Sequence, residues 1–218
     1  GQRPGHFDRR AADHRLQPAD AWQQQREQLP ALIFNATLGG AEFAAFWRAA
    51  PVQGGYPRVD ARETKAALTA IEAVAQRWLR GDYRARDRDF ELWLAAVAGG
   101  TGGAQWETLS RRADALAAAD RMLARHGARA MRCSDNRRQR SPANLASETS
   151  ADFRREVLPR YSRALQRYRE LLRPVAGLEA QLHATLPSPY RRWMEDRNRS
   201  LVALVAAPQK HLQQIAQL

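Results

Sequence analysis

One cysteine, Cys133, stands in 218 residues. A single thiol excludes an internal disulfide framework and a Cys-rich zinc site. The histidines are His6, His14, His126, His183 and His211, and none has a second His or Cys three or four residues away. Helical and turn-spaced metal sites need such pairs, so neither a metal nor a cofactor is expected. There is no GxxxxGK[ST] phosphate loop and no strand-bound GxGxxG. "GGTGG" (99–103) joins two helical patterns, lacks a preceding strand or lysine, and reads as a flexible connector. No apolar run approaches the ~18 residues that span a bilayer. The longest are "LWLAAVA" (92–98) and "LVALVAA" (201–207), so the chain reads as soluble. No segment alternates with strand composition, and no repeat recurs at a solenoid period. The chain begins at Gly1 without a signal peptide, which fits a trimmed or a mature exported protein.

What the sequence does hold is helical punctuation. "DARE" (60–63) is a capping box, behind which Leu68, Ile71, Val74, Ala75, Trp78 and Leu79 share a face, with Gly81 as stop. "DRDFELWLAAVAGG" predicts a second helix. Residues 104–126 put Trp106, Leu109, Ala113, Leu116 and Leu123 on one side. Three shorter helices are expected at 18–29, at "PALIFNATL" and at "AEFAAFWRAA". "SDNRRQRSPANLASE" reads as a loop and Thr149 as the start of a further helix, with Pro159 bending or breaking the path. Tyr161, Leu165, Tyr168 and Leu172 form the next stripe, with Arg160, Arg163 and Arg167 opposite. Ser188 and Pro189 open a last helix expected to end near Ala206, before Pro208. The fold class is all-α, an irregular bundle of about seven or eight helices. Residues 1–17 read as a loose segment and 18–218 as a single all-helical domain.

Charge is the second presence. The net charge is +12, and its distribution is one-sided: 19 bases and 8 acids fall in residues 121–218, net +11. Arginine supplies 33 of the 35 basic residues, as a GC-rich genome would produce. Such a balance favours acidic partners, yet arginine-rich helical faces are also ordinary solvated faces. The stretch "RHGARAMRCSDNRRQR" (125–140) contains Arg132, Arg137, Arg138 and Arg140, candidates for weak contact with anions or anionic lipid. No aromatic residue lies between Arg125 and Asp152 to stack a base, so specific nucleic-acid binding is not expected. Cys133 lacks the activating surroundings of a nucleophile, and no catalytic residue is assigned.

Two charges fall inside apolar stripes. Asp120 lies among Leu109, Ala113, Leu116 and Leu123. Arg197 lies among Tyr190, Trp193, Met194, Leu201 and Leu204. Each is expected either at a stripe edge, snorkelling to water, or paired with the other across packed helices. A buried Asp120–Arg197 pair would line a polar pocket and makes these two residues the ligand-pocket candidates.

"LPALIFNATLGGAEFAAFW" (29–47), "WLRGDY" (78–83), "LAAVAGGTGGAQW" (94–106) and the long block 131–168 resemble, in order, blocks of the bacterial domain-of-unknown-function family 3080, over residues 29 to about 206 as the family's C-terminal part. That resemblance implies a bacterial envelope lipoprotein facing the periplasm, possessing no assigned activity. "RMLARH", with Arg121 and His126, also resembles the arginine–histidine signature of the HEPN ribonuclease class, although "RRAADH" (9–14) matches equally. The leading expectation is a non-catalytic envelope protein that binds an unidentified protein or small molecule. A cytoplasmic nucleic-acid-binding domain and a HEPN-like ribonuclease are the rivals.

Overall fold

The computed structural model describes residues 18–48, 61–83, 87–130 and 142–217. All regular elements among them are helical: α1 (Pro18–Ala36), α2 (Ala41–Phe46), α3 (Arg62–Leu79), α4 (Asp87–Ala98), α5 (Gly102–Ala130), α6 (Pro142–Asp152), α7 (Leu158–Gln181) and α8 (Ser188–Ile215). The expected seven or eight helices resolve into five long ones, α1, α3, α5, α7 and α8, with α2, α4 and α6 short between them. Residues 1–17, the Asp60 cap and residues 131–141, which include Cys133, lie outside the described residues.

The all-α class holds, and so do the faces read from helical period. On α3, Leu68, Ile71, Val74 and Ala75 are buried. The helix ends as glycine dictates. Gly81 sits at φ +89, with its N–H on Trp78 O at 2.9 Å and the Asp82 N–H on Arg77 O at 3.0 Å, a double closure that a side chain at φ > 0 would strain. On α7, Tyr161, Leu165, Tyr168 and Leu172 face inward while Arg160, Arg163 and Arg167 are exposed. The α7 stripe continues through Val175, Leu178 and Leu182 and meets Ile71, Val97 and Leu109 of α3, α4 and α5 in the main core.

Four boundary readings are corrected, and a proline lies at each. Pro30 does not divide α1, so the two expected N-terminal helices are one. Residues 142–148, read as loop, begin α6, with Pro142 at a first-turn position where its missing N–H costs nothing. Pro159 does not break the chain either. The turn before it, Phe153–Val157, widens to π-helical geometry, and α6 and α7 run on through it. Such a bulge relieves the clash between a proline ring and the carbonyl four residues earlier. Pro208 lies inside α8, which runs to Ile215 rather than Ala206. The carbonyl that Pro208 leaves without an N–H is that of Leu204, and the Tyr161 hydroxyl donates to it at 2.6 Å.

Residues Arg26–Phe46 are, by length and composition, apolar enough for a membrane span, which a count of uninterrupted apolar runs misses. Here they form the end of α1, a turn at 37–40, and α2, and carry Ile33, Phe34, Leu38, Phe43 and Phe46 into the core.

Candidate ligand pocket

The first turns of α8 place Tyr190, Trp193 and Arg197 at spacings of three and four, hence on one face. The Tyr190 and Trp193 rings lie 5.3 Å apart, and the Arg197 guanidinium stands 5.0 Å above Trp193. Trp47, just past α2, closes the other side, 5.3 Å from Trp193 and 5.5 Å from the guanidinium. Phe46 fixes Trp47 edge-on at 4.8 Å. Trp106, in the second turn of α5, packs on Tyr168 at 5.4 Å.

Arg197 is more deeply buried than its apolar neighbours Tyr190, Trp193, Met194 and Leu201, at 5 % exposure. Its partner is Glu179, near the end of α7. Nη1 donates to Oε1 and Nη2 to Oε2, both at 2.8 Å, and the two side chains are 4 % exposed. The Tyr190 hydroxyl donates to Oε1 at 2.8 Å, and Asn198 Oδ1 accepts from Arg197 Nη2 at 3.0 Å. Burial alone disfavours the charged arginine, but the hydrogen bonds and charge of Glu179 outweigh it and hold Arg197 above its ordinary pKa. Burial, then the charge and hydrogen bond of Glu179, push the Tyr190 hydroxyl upward, so it stays a donor. A fork-to-fork pair with these added bonds is the geometry in which a buried ion pair recovers its desolvation cost.

The pair with Asp120 is not formed. Helices α5 and α8 do pack together, but their register brings His211 to Asp120, with Nδ1 and Oδ1 2.5 Å apart. Arg197 is fourteen positions earlier on α8, about 21 Å along the axis at 1.5 Å per residue. Neither charge sits at an exposed edge: His211 and Arg197 are buried, and the Asp120 side chain is 15 % exposed. The Asp120–His211 contact is set in a second, smaller apolar cluster of Phe153, Leu212 and Ile215, with the Phe153 ring 4.8 Å from the imidazole.

Glu179 and His211 are not among the residues expected from sequence, although a sequence signal for each exists. Carried past Leu172, the α7 stripe runs through Val175 and Leu178 and takes in Glu179 one position later. Carried past Pro208, the α8 stripe Leu204, Pro208, Leu212, Ile215 contains His211. Both stripes run further than the four-residue pattern 161–172 and the Pro208 stop suggest, the second because the helix accommodates that proline.

Beside the Glu179–Arg197 pair opens a pocket of about 280 Å³. Trp47, Trp106 and Trp193 supply its aromatic walls, and Arg197, Glu107, Asp196 and Ser200 its polar atoms. Glu107 is linked to Arg111 at 2.7 Å and Asp196 to Arg199, both pairs largely in solvent. The pocket's shape depends on Gly103, which also lines it. A Cβ there would stand 2.2 Å from the Trp47 carbonyl oxygen, and one on Gly102 would stand 2.3 Å from the Phe46 ring. The "GGTGG" segment is therefore not a flexible connector. Gly102 and Gly103 are buried in the first turn of α5, where they let α2 and Trp47 close against it.

Of the pocket candidates, Arg197 lines this cavity and Asp120 lies at the other end of α8. Arg132, Arg137, Arg138 and Arg140 fall outside the described residues, as does the side chain of His126. Arg121 is exposed on α5. Among the described residues there is no group of three or more His, Cys, Asp or Glu placed to hold a metal ion.

The chain matches the family described as "Protein of unknown function (DUF3080)" over residues 10–215, and it belongs to that family. The match extends at both ends beyond the 29-to-206 span that carried the resemblance. No curated protein and no solved structure matches it.

Proposed function

We propose that this member of the DUF3080 family is a non-catalytic, periplasm-facing bacterial envelope protein that acts by binding a ligand in the tryptophan-walled pocket. The observation that carries the binding reading is the contrast between walls and floor. Three indoles line a cavity whose buried charge, Arg197, is already committed to Glu179 through two 2.8 Å bonds. A committed guanidinium stiffens a site without being available for proton transfer. The pocket carboxylates, Glu107 and Asp196, are 38 % and 65 % exposed, and each meets an arginine. A small, mostly apolar concavity with a few placed polar groups is the usual form of a ligand site. The envelope location is supported by the family resemblance alone.

The test is a set of ligand probes followed by NMR of the indole N–H resonances, with Trp193→Phe used to assign that signal. Saturable shifts at Trp47, Trp106 and Trp193 together are expected. Shifts confined to other tryptophans would remove this pocket from consideration. Nucleic acid is expected to bind only weakly, worse than micromolar at physiological salt, with a log–log salt slope of about −0.9 per phosphate neutralised on a duplex. A nanomolar, sequence-dependent affinity would replace the proposal with a nucleic-acid role. Fractionation of the tagged full-length protein checks the compartment.

A further inference from the structure

Resting on that reading of the pocket, we infer that its ligand is an alkylammonium cation, held by the faces of the indoles and by the carboxylates of Glu107 and Asp196.

Three observations converge on a positive ligand. The first is the wall chemistry: the faces of Trp rings carry the negative lobe of the aromatic quadrupole, and Trp is the best of the aromatic cation receptors. The second is internal to the protein. Arg197 already stands over Trp47 at 5.5 Å and over Trp193 at 5.0 Å, so these indoles stabilise a cation in the folded chain. That guanidinium covers one face of each ring. Trp193 keeps 38 % of its surface exposed, which leaves ring surface open to a ligand. The third is charge. In a chain of net charge +12, the ionised groups lining this pocket are two carboxylates and one arginine, and that arginine is neutralised by Glu179. Glu107 and Asp196 therefore make the pocket locally acidic against a basic background. Their arginine partners, Arg111 and Arg199, do not line the pocket, and such exposed pairs are weak enough for a ligand cation to compete with them.

The alternatives fit less well. The one cation of the lining, Arg197, is held by Glu179 in a buried bidentate pair, whereas the two carboxylates are held only in exposed pairs, so an anion has less to gain here than a cation. A neutral polyol could stack on the indoles, but it would gain nothing from the paired carboxylates beyond ordinary hydrogen bonds. The 280 Å³ cavity lies at the small end of ligand sites, suited to one headgroup or one side chain. A free quaternary ammonium compound and a lysine side chain offered by a partner share the required chemistry, and the probes separate them.

The experiment titrates the whole chain with choline, with Nα-acetyl-lysine amide, with 3,3-dimethyl-1-butanol as the neutral isostere of choline, and with N-acetylglucosamine and acetate. Trp193-dependent indole shifts provide the readout. Choline or the lysine amide is expected to saturate with a millimolar dissociation constant, about tenfold tighter than the isostere. Whichever of the two binds more tightly identifies the source. The double variant Glu107→Gln/Asp196→Asn alters only solvent-facing groups, so it keeps the fold, and circular dichroism verifies that. It is expected to weaken the cation severalfold and leave the isostere unchanged. Equal affinity for choline and its isostere, or a double variant without effect, overturns the cation assignment. Saturation by N-acetylglucosamine or acetate but not by either cation overturns it while leaving the pocket as a binding site. Silence from every probe in the folded protein removes both.

Discussion

Helix α8 carries a buried charged contact at each end, and the two are built differently. At its N-terminal end Arg197 meets Glu179 through two bonds, with a third bond from Tyr190 and indoles on either side. At its C-terminal end His211 meets Asp120 through one contact inside a small apolar cluster. The first lies beside a pocket walled by tryptophans. The second joins α5 to α8 under Phe153 and does not line that pocket. Polar groups at the first end are arranged as a layered site. At the second they clamp two helices. The same sequence device, a charge in an apolar stripe, therefore serves two purposes, and only the surroundings tell them apart.

The comparison is broken most directly at Glu179. Glu179→Gln leaves a guanidinium that cannot lose its proton buried beside a neutral amide, and should destabilise the protein by about 3–5 kcal/mol. Urea unfolding followed by circular dichroism measures it. Replacing both partners with apolar residues of similar volume, Glu179→Leu with Arg197→Met, should recover much of that loss. A loss below about 1 kcal/mol for the single change would mean that the pair is not shielded as its burial indicates.

A yardstick for ordinary packing lies on α7, which serves both ends. Leu165→Ala removes a core side chain and should cost about 2–5 kcal/mol, while Arg163→Ala, on the exposed face, should cost almost nothing. Equal costs would show that the helix is turned the wrong way.

The pocket end is sharpened at Gly103. A methyl group there meets backbone, the Trp47 carbonyl, rather than the tip of a side chain that could swing away. Gly103→Ala should cost about 1–3 kcal/mol and shift the Trp47 indole resonance. Gly177→Ala is the control: its Cβ would strike the carboxylate of Glu72, the far end of a flexible side chain, and should cost much less. Similar costs at the two glycines would deny Gly103 its part in shaping the pocket.

The sequence pattern made faces within helices legible and left register between helices obscure. Period 3.6 placed Leu68, Ile71, Tyr161 and Leu165 inward without error, because one helix's geometry suffices. It also marked Asp120 and Arg197 as charges in apolar surroundings. It left open whether they pair with each other or sit at a stripe edge, because a slide of one helix past another leaves both patterns intact, and only packing sets which turn faces which. Glu179 and His211 were missed for a local reason, a stripe ended too soon. Pro208 was read as a terminator, since nothing near it in sequence shows that the Tyr161 hydroxyl, on another helix, caps the orphaned Leu204 carbonyl. "GGTGG" was misread similarly. Glycine is consistent with both a loose linker and a tight contact, and the ring that needs the space, Phe46, is more than fifty positions away.

The smallest expected effect is at the other end of α8, and it bears most sharply on the difference between the two contacts. Asp120→Asn keeps the shape of the side chain and removes its charge. An imidazole, unlike a guanidinium, has a neutral form with one donor and one acceptor nitrogen, and an asparagine amide can answer either. Whichever ring nitrogen carries the proton, a hydrogen bond to position 120 survives the change, so the loss should be about 0.5–1.5 kcal/mol, the net value of one bond rather than of a stranded ion. The midpoint of urea unfolding should fall slightly with an unchanged slope, which would indicate lost stability without a change in compactness. The Trp193 resonance should stay in place, since position 120 lies against His211, some four turns along α8 from Arg197, or about 20 Å. If Asp120→Asn instead costs as much as Glu179→Gln, both ends depend equally on charge, and the division between a layered site and a plain clamp disappears.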